Sequence, residues 1–98
     1  MNLEAKVKAG IKKLLDAEKV YYFFPPANGF GRSGIPDIIC CVNGRFLAIE
    51  CKAGTGMTTA LQNRELQRID DAGGVSMIAR EDSLQDIRDV IQQLREPT

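Results

Sequence analysis

The sequence predicts an α/β fold, a small mixed four-stranded sheet with helices packed against it, in the order α-β-β-β-α-β-α. Three observations predict it. Two apolar runs, residues 38–42 and 46–49, flank an Asn43-Gly44 pair. That pair is a strong hairpin signal, because both central positions of a type I′ turn need φ > 0. Apolar residues recur at helical spacing near both ends of the chain and in residues 59–72. Strand 45–51, helix 59–72 and strand 75–79 then form a βαβ crossover, which places its two strands parallel.

In chain order, Leu3, Val7, Ile11, Leu14 and Leu15 predict an amphipathic helix over residues 3–18, with Asn2 as N-cap. Residues 20–24 are all β-branched or aromatic and read as a strand that Pro25-Pro26 ends. Residues 27–34 hold three glycines with Asn28, Arg32 and Ser33, a loop composition. Arg32 is either a phosphate contact or a solvated arginine. After the hairpin, residues 53–57 form a glycine-containing connection. Thr58 or Thr59 caps the next helix, whose buried face includes Leu61, Leu66 and Ile69. Gly73-Gly74 stops it. Residues 75–79 are a strand, and residues 83–94 a helix with Leu84, Ile87, Val90, Ile91 and Leu94 apolar.

The composition narrows the function classes. Ninety-eight residues make one domain, 1–98, and 44% hydrophobic content is enough for a modest core. No apolar run reaches the length of a membrane span, and the lysine-bearing N-terminus does not resemble a signal peptide. A cytoplasmic protein of a bacterial or phage-infected cell is expected, with Cys40, Cys41 and Cys51 as buried reduced thiols. The chain has no histidine, which excludes every histidine-dependent acid, base or ligand scheme. Net charge is zero, but it is unevenly spread. Residues 1–68 carry ten Lys/Arg and six Asp/Glu, and residues 69–98 carry three and seven. The first part therefore suits a phosphate backbone, if the asymmetry is more than two ordinary helix surfaces.

The hairpin carries the chemistry. Strand alternation puts Asp37 on the face of Ile39 and Cys41, and puts Glu50 and Lys52 together on one face of the second arm. Turn closure brings Asp37 beside Glu50 and Lys52. Two close carboxylates are costly to keep ionised without a cation, and such oxygens with waters and phosphates are how Mg²⁺ is held. For Asp or Glu-x-Lys taken singly, a strand start and a surface ion pair are the commoner explanation; the combination is more specific. Glu4 either aims into a cleft at the edge of the first helix or simply favours the helix dipole.

Pro36-Asp37, an intervening hairpin and Glu50-Cys51-Lys52 resemble the PD-(D/E)xK nuclease signature. Over nearly its whole length the chain resembles a VRR-NUC domain (virus-type replication-repair nuclease), a branch of that restriction-endonuclease-like superfamily. Glu4 in helix 1, the Gly-Ile-Pro-Asp stretch, the Glu-x-Lys and Gln62 opening the next helix stand in the family's order. The resemblance implies a restriction-endonuclease-like sandwich and a Mg²⁺- or Mn²⁺-dependent DNA endonuclease. Asp37, Glu50 and the main-chain carbonyl of Cys51 would be metal ligands and Lys52 the water-positioning group. Glu4 would be an accessory acid and possible ligand, and Gln62 a supporting contact. Beside the resemblance, Arg32, from its place in the loop before Asp37, and Lys8 are expected substrate contacts.

A domain this small has little surface for reading sequence, so branched, junction or flapped DNA is the expected partner, with no nucleotide cofactor. A symmetric homodimer is also expected, because resolving a Holliday junction needs paired cuts and these 98 residues hold one such site. The aromatic run at residues 21–24 would supply its contact, unless those rings pack under helix 1. The alternative from another class is a catalytically silent module that binds nucleic acid or a replication protein.

Overall fold

The computed structural model describes residues 2–26 and 33–97. Seven elements follow in order: α1 (Leu3–Ala17), β1 (Tyr21–Phe23), β2 (Ile38–Val42), β3 (Arg45–Cys51), α2 (Ala60–Asp71), β4 (Val75–Ala79) and α3 (Leu84–Arg95). The sheet order is β1-β2-β3-β4, antiparallel through β3, with β4 parallel to β3. This is the predicted mixed sheet and element order.

Local chemistry explains the boundaries. The Asn2 side chain accepts from the Ala5 N–H at 2.7 Å and opens α1. Asn43 and Gly44 turn the β2–β3 hairpin with φ of 54° and 76°, the left-handed pair a type I′ turn requires. The Asn43 side chain also donates to the Leu94 carbonyl at 3.2 Å, tying the turn to the end of α3. Thr59 caps α2 in a reciprocal box. Its hydroxyl accepts from the Gln62 N–H, and the Gln62 side chain accepts from the Thr59 N–H.

The core lies on one face of the sheet. Val7, Ile11, Leu14 and Leu15 of α1 and Ile87, Ile91 and Leu94 of α3 pack on Ile38, Cys40, Val42, Leu47, Ile49 and Cys51. The opposite face is covered by α2, which packs mainly against β4. Toward β1 and β2 that face is open, which accounts for one departure from expectation. Cys41 is exposed, because it points to the open face while Cys40 and Cys51 point into the core. Burial pushes both core thiols up to about 12. Tyr21 and Phe23, in register with Cys41 and Ile39, are exposed too. Of the aromatics at residues 21–24, Tyr22 is the one that turns toward α1, packing on the core and donating to Asp16 at 2.6 Å.

Leu61 is also exposed rather than part of the buried face of α2. Its backbone is instead where Gly34 docks. A Cβ on Gly34 would sit 2.5 Å from the Leu61 carbonyl oxygen, and Gly34 has φ of +87°. Only glycine meets both demands at little cost. The contact threads the chain past the start of α2 into Pro36 and Asp37.

Candidate active site

Asp37 immediately precedes β2, Glu50 is the penultimate residue of β3, and Lys52 follows that strand. The hairpin register pairs Ile38 with Ile49. Continued by one step, it sets Asp37 opposite Glu50. Residues 37, 50 and 52 then share the α2-side face, while Cys51 points into the core on the other side.

Asp37 is held by main chain. Its Oδ2 accepts from the Cys51 N–H at 2.8 Å. The N–H and C=O of a strand residue leave by the same edge, so the Cys51 carbonyl is directed toward the Asp37 side as well. The next peptide points oppositely, and the Lys52 N–H donates to the Ala79 carbonyl at 2.9 Å. The site is thereby built on the β3–β4 ladder rather than on a loop.

The charges are compressed. Glu50 is 2% exposed. Its Oε2 lies 3.7 Å from the Lys52 ammonium, itself largely buried, and its Oε1 is buried with no hydrogen-bond partner. Desolvation pushes the Glu50 carboxyl up to about 7, reinforced by the Asp37 charge and opposed by Lys52. On the far side of Asp37, Lys8 of α1 approaches Oδ1 at 3.2 Å. Desolvation works to lower the Lys8 pKa, but hydrogen bonding and charge from Asp37 outweigh it and the pKa is raised. Lys8 therefore reaches from α1 to the acidic end of the hairpin.

Glu4, one turn before Lys8, is half-buried and near enough for its charge to act on both Lys8 and Cys51. The structure thus gathers Asp37, Glu50, Lys52 and Lys8 at one end of the sheet, with Glu4 at its margin. Gln62 stands apart in one respect: its side-chain oxygen is engaged in the Thr59 cap. Arg32 lies outside the described residues.

Two features at the site carry no local sequence signal. Arg80, just after β4, donates from one nitrogen to the Gly54 carbonyl at 2.9 Å and the Gly56 carbonyl at 2.7 Å. Glu81 accepts from the Gly54 N–H at 2.7 Å. Together they clamp the connection that leaves Lys52. Glu65 is the second. It is buried on α2, 3.6 Å from Arg68, in the wall of a cavity that also includes Pro36.

Among the described residues, no three His, Cys, Asp or Glu side chains are grouped to hold a metal ion. The donor set fits a hard divalent cation nonetheless. Mg²⁺ is commonly bound by one or two carboxylates with waters and substrate phosphates completing the shell. The buried Glu50 Oε1 beside Asp37, without a hydrogen-bond partner, is an acceptor of that kind.

No family model matches the sequence, and no curated protein matches it. A solved structure described as a VRR_NUC domain protein is similar over 95% of this chain and 88% of its own, with a TM-score of 0.71 and 23% identity. At that identity the likeness establishes the architecture, and the chain has a VRR-NUC-like fold. No helix among the described residues is long and apolar enough to cross a membrane.

Proposed function

We propose that this domain is a divalent-metal-dependent DNA endonuclease of the PD-(D/E)xK type. The observation that carries the reading is the buried Glu50 carboxyl, raised to about 7 and lacking a partner on Oε1, at the hairpin end where Asp37 also stands. A buried acid is usually paired or neutralised, and perturbed groups cluster at functional sites. The likeness to a VRR_NUC domain protein points to the same chemistry.

Asp37, Glu50 and the Cys51 carbonyl would hold Mg²⁺ or Mn²⁺, with Glu4 as a further acid. When bound, such an ion lowers the pKa of a coordinated water and neutralises charge on the phosphate. The protein's own groups do the rest. The Cys51 N–H keeps Asp37 in one orientation. Lys52, fixed on the Glu50 face, donates to the attacking water and orients it toward phosphorus. Water oxygen adds to phosphorus as the water gives up a proton to solvent, one P–O ester bond breaks, and the leaving oxygen takes up a proton from solvent. Lys8 has a long flexible stem, so it can leave Asp37 for a phosphate oxygen as substrate arrives. Arg32 and Gln62 complete the proposed contacts, Gln62 through the amide group that its cap leaves free.

The test is a panel of labelled Holliday junction, flap, plain duplex and single-stranded DNA. Cleavage should require Mg²⁺ or Mn²⁺, stop in EDTA, and be faster on the branched forms. Binding without cleavage under every metal condition would replace this reading with that of a silent binding module.

Paired cuts on a junction need two sites. We propose a symmetric homodimer, its contact built on the exposed Tyr21, Phe23 and Phe24 at the β1 edge of the sheet. Size exclusion with light scattering at roughly 10–100 µM should give twice the mass of one 10.8 kDa chain. A single-chain mass across that range, with full activity on branched DNA, would remove the dimer from the scheme.

A further inference from the structure

We propose that the cavity between α2 and the open face of the sheet is a subsite for one unpaired nucleobase, adjacent to the phosphate being cut. The inference rests on the nuclease reading and names the feature of the DNA that the same site selects. The cavity measures about 310 Å³. Its walls include Ile35, Pro36, Ile39, Phe46, Glu65 and Arg68.

Position is the first argument. Pro36 directly precedes Asp37, and Ile39 lies two residues on along the same strand face. Two strand residues span about 7 Å. A nucleotide with its phosphate at Asp37 and Glu50 can therefore place a neighbouring base over Ile39 without stretching.

Chemistry is the second. Phe46 is 46% exposed, so its ring stands open to the cavity rather than sunk in the core. Gly74 keeps the space beside that ring clear, since a Cβ there would come within 3.3 Å of Phe46 Cδ1. Aromatic and aliphatic surfaces of this sort take a base by its π-face, without regard to sequence. Glu65 puts a buried carboxyl in the wall. Its partner Arg68 reaches solvent at the rim, where a guanidinium meets the phosphate backbone. A few polar groups in a mostly apolar hollow of this size describe a small-ligand pocket.

A duplex does not fit. Its bases are stacked and paired, and one enters a pocket only after extrusion, which branched ends, flaps and single strands do not require. A second copy of this chain fits less well than a base, because it would have to bury the exposed Arg68 guanidinium away from water.

The experiment scans an abasic site, one nucleotide at a time, along the unpaired arm and junction of a flap substrate. Binding is read by anisotropy with the Glu50→Gln variant, so the result does not depend on turnover, and cleavage is read in parallel with otherwise unaltered protein. One abasic position should weaken binding about 5- to 100-fold. Phe46→Ala, added to Glu50→Gln, should bring the intact substrate down to the abasic level, and Phe46→Trp should keep the discrimination. Circular dichroism checks that the variants fold, which the half-exposed position favours.

Equal binding of intact and abasic DNA at every position would overturn the subsite, even if cleavage is robust. So would discrimination that survives Phe46→Ala, or a fall from two-chain to one-chain mass in that variant with discrimination unchanged. Absence of cleavage on every substrate with discrimination intact would instead remove the nuclease reading and leave the base site standing.

Discussion

Glu50→Gln and Asp37→Asn should each slow DNA cleavage at least about a thousand-fold while leaving the fold in place. Several kcal/mol of transition-state stabilisation are at stake when a metal ligand is lost, and about 4 kcal/mol corresponds to three powers of ten. Both substitutions are isosteric, and both spare packing. An asparagine at 37 can still accept from the Cys51 N–H, whose bond to Asp37 Oδ2 is 2.8 Å long. A glutamine at 50 keeps the shape of a side chain that is 2% exposed. If Asp37 and Glu50 were only partners for Lys8 and Lys52, their neutral forms would leave a working enzyme. Lys52→Ala should fall with them through loss of water orientation. The measurement is single-turnover cleavage of the preferred branched substrate at saturating Mg²⁺, with circular dichroism as the control for folding. Cleavage by Glu50→Gln within tenfold of the unsubstituted rate would sink the assignment of the site.

The hairpin shows how much of this was legible in advance. Asn43-Gly44 dictates a type I′ turn from two residues, and a two-residue turn sets the register of both arms. Once Val42 faces Arg45, Ile38 must face Ile49, and Asp37 then falls beside Glu50. The central acids and Lys52 were readable because a purely local signal propagates along a ladder. Helix boundaries were readable for the same reason, through Asn2 and Thr59.

Other parts of the site depend on how α1, α2 and β4 come together, which no short pattern encodes. Lys8 was an expected substrate contact, but its pairing with Asp37 depends on the packing of α1 on the sheet. Arg80 and Glu81 lie over twenty residues from the glycines they clamp. Leu61 was expected to be buried from helical periodicity, and Cys41 from its place in an apolar strand. Periodicity says which residues share a face but not whether a neighbour covers it. Gln62 presents a different difficulty: the third helical residue is where a capping box needs a glutamine, and also where a helix opening onto the site would carry a contact. One residue satisfies both descriptions, and the structure shows the first directly.

Metal-free protein should lose stability as pH rises from about 4.5 to about 7, the reverse of the usual carboxylate behaviour. The Glu50 carboxyl is raised from 4.5 to about 7, chiefly by desolvation and next by Asp37. Between those values the folded state binds more protons than the unfolded chain. This contribution is therefore complete below pH 4.5 and is lost as pH climbs through about 7. Each pH unit of the gap is worth about 1.4 kcal/mol, so the whole window amounts to about 3 kcal/mol, and roughly 10 °C or more in Tm for a domain this size. A divalent cation works in the opposite sense. It competes with the proton for the same oxygens and binds only the folded site, so saturating Mg²⁺ or Mn²⁺ should flatten the decline above neutrality. At a hundred times Kd it returns about 2.7 kcal/mol. Ca²⁺ should stabilise similarly yet support little cleavage, since its looser shell places water poorly. The slope, rather than the absolute Tm, is the informative quantity, because Glu50→Gln also removes the partner of Lys52. Thermal melts from pH 4 to 8 with EDTA and with each metal give it. Glu50→Gln should show neither the decline nor the metal response. An unsubstituted protein whose Tm stays level across that window in EDTA would mean that the Glu50 carboxyl has already found a neutralising partner, and the site would not need a metal ion to complete it.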